Sequence, residues 1–139
     1  PAVLQNTLTL DPQNIATRAL FWEDYLKQYP ESLYKQDAQQ LLYQYSRFLF
    51  VGTAESPVSG DYSDRLSLQA SSLEEIEKLA KLNKSQLANQ ARLLLNLLNQ
   101  NSATGNRSTE QQVLSAIGIH NPSPSYKKDC FSDAVCLAT

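Results

Sequence analysis

The sequence predicts an all-α protein in which about five amphipathic helices pack as one domain. Apolar residues recur at three- and four-residue steps through most of the chain, which is the spacing of one helix face. Helix-capping residues precede these segments, and no segment shows the sustained alternation of a half-buried strand. With 139 residues, of which 42% are hydrophobic and 19% charged, the chain can bury a core and does not have the composition of a disordered segment.

Residues 11–50 predict a helical hairpin. Asp11 is a suitable N-cap, and Pro12 suits the first helical position, where its missing N–H costs nothing. Pro30 ends the first helix because the residue before a proline avoids the α region, and Ser32 is the expected cap of the second. The link is so short that the helices must be neighbours. Their apolar stripes are Ile15, Ala19, Trp22 and Leu26, then Ala38, Leu41, Leu42, Tyr45, Phe48 and Leu49.

Residues 51–70 predict a loop, because this stretch holds two glycines, a proline and several Ser and Asp residues. Two interpretations of Tyr62 remain open within it. The side chain is either an anchor that enters the core together with Val58, or a contact surface beside Asp61 and Asp64.

Three further helices are predicted over residues 71–118. A capping-box pattern that starts at Ser72, a cap at Ser85 and a second capping-box pattern at Ser108 mark their beginnings. Gly118 is the expected stop of the last helix, since glycine readily adopts the left-handed conformation at a helix end.

The two ends of the chain are predicted to be non-helical. Residues 1–10 predict an extended arm, and residues 119–139 predict an irregular tail that is rich in Pro and Ser before its first cysteine. We expect Cys130 and Cys136 to form a structural disulfide that closes a small ring. Two unpaired thiols, or a reactive or metal-linked pair, are the alternatives. A disulfide would indicate an oxidising compartment, either the periplasm or the cell exterior.

The turn of the hairpin has a distinctive pattern. Tyr29 and Pro30 end the first helix, Ser32 and Tyr34 follow, and Ala38 opens the second helix. This pattern resembles the junction between tetratricopeptide-like helical repeats of bacterial envelope lipoproteins. The resemblance is restricted to the hairpin, and no second copy follows at the repeat period of about 34 residues. It implies an interaction scaffold of the cell envelope, built either as a compact bundle or as repeat-like hairpins.

Few patterns in the chain point to chemistry. The sequence has no GxSxG, HExxH, phosphate-binding or GxGxxG motif, and His120 is its only histidine. Its 12 Lys and Arg residues are dispersed among 14 acidic residues, without the basic stripe that nucleic acid requires. No apolar run approaches the roughly 20 residues of a transmembrane helix. We therefore expect no enzymatic activity, no cofactor, no metal, no nucleic-acid partner and no transmembrane segment.

The sequence favours a non-enzymatic protein–protein interaction module, an adaptor or assembly factor of the bacterial cell envelope. Aromatic anchors dominate protein interfaces, so the predicted contact residues are Trp22, Tyr25, Tyr29, Tyr34 and Tyr43. The first alternative is a helical inhibitor or immunity-type protein that binds one partner enzyme. The second is an enzyme or ligand carrier with an acidic site, for which Glu23 and Asp61 are candidates.

The expected location is periplasmic or extracellular, with an envelope-associated protein as the partner. The sequence contains no Met and starts with Pro1, so we expect a processed mature form or a trimmed piece of a longer chain. This expectation leaves open a removed secretion signal, or a removed lipid anchor that attaches the protein to the outer membrane.

Overall fold

The computed structural model describes residues 11–53 and 57–122, together with the backbone of two short strands near the N-terminus. The strands Val3–Leu4 and Thr7–Leu8 pair in antiparallel fashion. The fold class is confirmed, because the described residues are mainly helical. The described helices are α1 (Pro12–Gln28), α2 (Lys35–Phe50), α3 (Ala70–Ala80), α4 (Gln86–Thr104) and α5 (Glu110–Ile117).

Helices α1 and α2 form the predicted hairpin and run antiparallel. Near one end of the pair, Arg18 Nη1 donates a hydrogen bond of 3.3 Å to the hydroxyl of Tyr45. At the other end, the hydroxyl groups of Tyr25 and Ser32 are 2.6 Å apart. The expected cap of α1 is confirmed, since the Asp11 carboxylate accepts a hydrogen bond from the backbone N–H of Asn14 at 2.9 Å.

The predicted cap at Ser32 is wrong, because α2 begins three residues later, at Lys35. The Ser32 hydroxyl lies against Tyr25 and accepts a hydrogen bond from the backbone N–H of Tyr34 at 3.0 Å. Ser32 therefore stabilises the turn between the helices. The N-cap position of α2 is occupied by Tyr34, which makes no side-chain capping hydrogen bond.

The predicted start of α3 is also wrong. This helix begins at Ala70, and Ser72 is buried inside its first turn. Its N-cap is Gln69. The backbone N–H of Gln69 donates to the carbonyl oxygen of Val58 at 2.9 Å, and its side-chain amide donates to the carbonyl oxygen of Pro57 at 2.9 Å. Tertiary contacts with the preceding loop therefore determine where this helix begins.

Helices α4 and α5 follow the prediction more closely. The Ser85 hydroxyl accepts a hydrogen bond from the backbone N–H of Ala88, so the predicted cap of α4 is confirmed. The capping box of α5 is displaced by one residue from the prediction and consists of Thr109 and Gln112. Gly118 adopts the expected left-handed conformation after α5, with φ of 81°.

The core lies where the helices meet. The hairpin packs against α3 and α4, while α4 also contacts α3 and α5. Each helix contributes completely or almost completely buried apolar side chains, among them Ile15, Ala19, Leu41, Leu49, Ile76, Leu87, Leu94, Leu98, Val113 and Ile117.

Tyr62 anchors the loop between α2 and α3. Its ring is completely buried, and its hydroxyl donates a hydrogen bond of 2.9 Å to the carbonyl oxygen of Phe50. The Asn101 side-chain amide donates to the carbonyl oxygen of Tyr62 at 2.9 Å. The backbone N–H of Tyr62 donates to the Ser59 hydroxyl at 3.0 Å. These contacts hold Tyr62 at a positive φ of 50°. The interpretation of Tyr62 as a core anchor is confirmed, and its interpretation as a contact surface is wrong.

Burial gives Tyr62 a pH-dependent effect on stability. Loss of solvation raises the pKa of its phenol, and the negative charge of Glu110 adds a smaller increase. Above about pH 10, the ordinary tyrosine pKa, the unfolded chain releases this proton while the folded chain keeps it. We therefore expect the free energy of unfolding to fall as pH rises through this range.

The Tyr62→Phe variant should lose less stability than the wild type between about pH 8 and about pH 11. Urea denaturation followed by circular dichroism at both pH values measures this difference. All other side chains are the same in both proteins, so the comparison isolates Tyr62. Equal losses in the two proteins would contradict the assignment.

Candidate interaction surface and cleft

A continuous row of aromatic rings runs along α1 towards the turn before α2. The ring centroids of Phe21 and Trp22 are 4.9 Å apart, those of Trp22 and Tyr25 5.5 Å, and those of Tyr25 and Tyr29 5.2 Å. Phe21 and Trp22 precede Tyr25 by four and three positions, and Tyr29 follows it by four. Steps of three and four positions place side chains next to each other on a helix surface, so the four residues lie together. We call these four residues the aromatic ridge.

The aromatic ridge is anchored in the protein and open to solvent. Trp22 is half-buried against the core, and the Tyr25 hydroxyl is held by Ser32. Phe21 and Tyr29 are 58% and 54% exposed. The turn that follows adds two more exposed side chains, Leu33 at 95% and Tyr34 at 39%. Clustered exposed apolar side chains are a mark of interaction sites, whereas isolated ones are ordinary.

The structure brings three of the predicted contact residues together and separates another from them. Trp22, Tyr25 and Tyr29 are in direct ring contact, and Tyr34 lies in the turn next to them. Tyr43 instead lines a cleft beside α2.

Phe21 and Leu33 belong to the exposed surface but were not predicted from the sequence. Phe21 had a detectable signal, because it precedes Tyr25 by four residues and Tyr29 by eight, which is helical spacing on one face. Leu33 offered no such signal, since it lies in the turn and outside any helical periodicity.

The cleft beside the hairpin has a volume of about 340 Å³. It lies between α1, α2, the beginning of α4 and the residues after α5. Its lining combines aliphatic side chains with neutral polar ones and two ionisable ones. The aliphatic lining residues are Leu26, Leu42, Leu87 and Ile119, and the polar ones are Glu23, Gln39, Tyr43, Ser46, Gln86, Gln90 and His120.

Glu23 joins α1 to the N-terminus of α4 at the edge of this cleft. Its carboxylate is buried and accepts two hydrogen bonds, from the hydroxyl of Ser85 at 2.7 Å and from the backbone N–H of Leu87 at 2.8 Å. A negative charge here also interacts favourably with the dipole of α4. Lys27 Nζ is 3.8 Å from the same carboxylate. Glu23 is thus a helix cap supplied from a distant part of the chain.

The structure does not pair Glu23 with Asp61 through any described contact. Asp61 has its own partners, because its carboxylate is 3.7 Å from Arg107 Nε and accepts from the backbone N–H of Ser63 at 3.1 Å. Both carboxylates therefore have structural partners of their own, and neither is placed as half of an acid–base pair.

In residues 11–53 and 57–122 no group of three or more His, Cys, Asp or Glu side chains could hold a metal ion. Within the same residues no helix is long and apolar enough to cross a membrane. The predicted disulfide between Cys130 and Cys136 falls outside the described residues.

No protein-family model, curated protein or solved structure matches this chain. The two structural features that bear on function are the aromatic ridge and the cleft. The aromatic ridge offers exposed apolar surface, and the cleft offers a partly open space with polar lining groups.

Proposed function

We propose that the protein is a non-enzymatic protein-binding module whose contact surface is the aromatic ridge together with Leu33 and Tyr34. The observation that supports this most directly is the exposure of these apolar side chains along the C-terminal half of α1 and in the turn that follows it. Covering one large apolar side chain yields about 1.5–3 kcal/mol. A partner that covers Phe21, Tyr29 and Leu33 together would therefore gain a substantial part of its binding free energy from them.

The aromatic ridge is suited to a protein partner because its rings are already ordered. The contacts among the rings, and the hydrogen bond between Tyr25 and Ser32, restrict their side chains before binding. Little conformational entropy is then lost when a partner docks. The exposed Tyr29 and Tyr34 also carry hydroxyl groups that can form hydrogen bonds at the edge of an interface.

The proposed setting is the bacterial cell envelope, where the protein acts as an adaptor or assembly factor for an envelope-associated partner. Two sequence features support this setting. The hairpin junction resembles that of tetratricopeptide-like repeats in envelope lipoproteins, and Cys130 and Cys136 suit an oxidising compartment. In this proposal the protein is periplasmic or extracellular, and any attachment to the outer membrane depends on a lipid anchor.

An affinity capture with the tagged full chain as bait tests the contact surface. The ridge variant carries Phe21→Ser and Tyr29→Ser, which remove two exposed rings without opening the core. The matched control is Leu66→Ser, because Leu66 is 89% exposed and lies in the 3-10 helix Arg65–Ser67, outside the ridge. Captured proteins from an envelope extract are quantified by mass spectrometry, and circular dichroism verifies the fold of each bait.

We expect one dominant partner to be captured by the wild type and by the Leu66→Ser control. The ridge variant should capture it at least about tenfold less, since loss of two interface anchors costs more than 1.4 kcal/mol. Equal capture of that partner by a folded ridge variant would contradict the proposed surface.

A further inference from the structure

The cleft contains buried polar groups that have no hydrogen-bond partner among the described residues. Ser46 is 3% exposed and Gln90 is 9% exposed, and both line the cleft. No hydrogen bond joins either side chain to any residue in the described part of the chain. Among the described residues, the fully enclosed side-chain atoms that lack a hydrogen-bond partner are Gln40 Oε1 and Arg47 Nε. The polar groups of Ser46 and Gln90 are therefore open to the cleft, where water or a ligand can pair with them.

The unpaired hydrogen-bonding groups of the cleft are mostly neutral. The Glu23 carboxylate is already occupied by Ser85 and the backbone of Leu87. Three glutamines, a serine and a tyrosine remain available, without a side-chain hydrogen bond to another described residue: Gln39, Gln86, Gln90, Ser46 and Tyr43. These five side chains offer hydrogen bonds without a charge, which favours an uncharged ligand.

Glutamine side chains suit an amide ligand. Each provides one carbonyl acceptor and two N–H donors, which can pair with the donor and acceptor of a second amide. The aliphatic lining residues beside them are Leu26, Leu42 and Leu87. A ligand with hydroxyl groups on every side would place polar groups against these leucines. A ligand with an apolar branch would instead cover the aliphatic lining.

We propose that this cleft binds a small neutral amide that carries a branched aliphatic side chain. Its volume of about 340 Å³ falls in the range of small-molecule sites. In the bound state Ser46 and Gln90 donate to and accept from the amide groups, and the leucines contact the aliphatic branch. This site is independent of the aromatic ridge. Glu23, which lines the cleft, follows the buried Ala19 by four positions and lies on the buried face of α1. Phe21 and Tyr29 are instead exposed to solvent.

Nuclear magnetic resonance of the ¹⁵N-labelled full chain tests this proposal, with N-acetyl-L-leucinamide as the probe. We expect saturable shifts confined to the cleft, including the signals of Ser46 and the side-chain amide of Gln90. Two comparison probes should each bind at least about fivefold more weakly, because each lacks a contact worth about 1 kcal/mol. Acetamide lacks the aliphatic branch, and N-acetyl-L-leucine carries a carboxylate.

Two variants assign the site to the unpaired groups. Gln90→Leu keeps a similar side-chain volume and Ser46→Ala removes only the hydroxyl, and each should weaken probe binding by at least about fivefold. Gln100→Leu is the control, because Gln100 is an exposed glutamine on the same helix as Gln90. Shifts that do not saturate, that lie outside the cleft, or that are unchanged in the folded Gln90→Leu and Ser46→Ala variants would overturn the proposal. Equal binding of N-acetyl-L-leucine would overturn the assignment of a neutral ligand.

Discussion

Replacing Glu23 with alanine is expected to lower the free energy of unfolding by about 2–4 kcal/mol. The substitution removes the acceptor for the Ser85 hydroxyl and for the backbone N–H of Leu87, both of which are buried. These donors would then lose a charge-assisted hydrogen bond without gaining full contact with water. The link between α1 and the N-terminus of α4 would be lost with them. Urea denaturation followed by circular dichroism measures the change.

Two further variants make this test specific. Asp24→Ala removes the neighbouring carboxylate, which is exposed and accepts one hydrogen bond of 2.7 Å from Gln28, so it should change stability by less than about 0.5 kcal/mol. Glu23→Gln keeps one carbonyl acceptor but turns an amide N–H₂ towards a donor, so its effect should be intermediate. A Glu23→Ala variant as stable as Asp24→Ala would show that Glu23 does not join the two helices.

Replacing Tyr62 with alanine should destabilise the protein by about 3–5 kcal/mol, which is the range for deleting a large buried ring. The ring is completely buried, and its hydroxyl satisfies the carbonyl oxygen of Phe50 at the end of α2. Its loss leaves a cavity beneath the loop and an unpaired acceptor. Tyr62→Phe keeps the ring and should cost only about 1 kcal/mol.

An exposed tyrosine is the matched control for the Tyr62 substitutions. Tyr29→Ala removes the same type of side chain from the aromatic ridge, where it is more than half exposed, so the loss should be below about 1 kcal/mol. Thermal unfolding of the three variants under one buffer condition orders their stabilities. If Tyr62→Ala were as stable as Tyr29→Ala, the loop would not depend on its buried anchor.

Local signals in the sequence predicted those features that depend on neighbouring residues. The caps at Asp11 and Ser85 and the helix end at Gly118 are determined by side chains within a few positions. The predicted caps at Ser32 and Ser72 failed for a different reason. Ser32 bonds to a tyrosine of the preceding helix, and α3 begins where the loop holds its N-terminus, so tertiary contacts override the capping pattern.

The candidate sites were predictable to the extent that helical periodicity describes them. Trp22, Tyr25 and Tyr29 come together because their spacing places them on neighbouring parts of one helix. The role of Glu23 was only partly predictable from the sequence. A charged residue on a buried stripe requires a partner, but its partner Ser85 lies 62 residues away and cannot be derived from the sequence pattern. The cleft likewise requires four distant segments, so the sequence gives no indication of it.

Site-specific photocrosslinking tests the central proposal, the aromatic ridge as a protein-binding surface, most directly. A benzophenone amino acid replaces Tyr29 in one protein and the exposed Asn96 of α4 in a second, which serves as the control. Both are irradiated in an envelope extract from cells that produce the protein. The proposal predicts one dominant crosslinked protein from position 29 and none of it from position 96. No product at position 29, identical products at both positions, or crosslinks only between copies of this chain would contradict it.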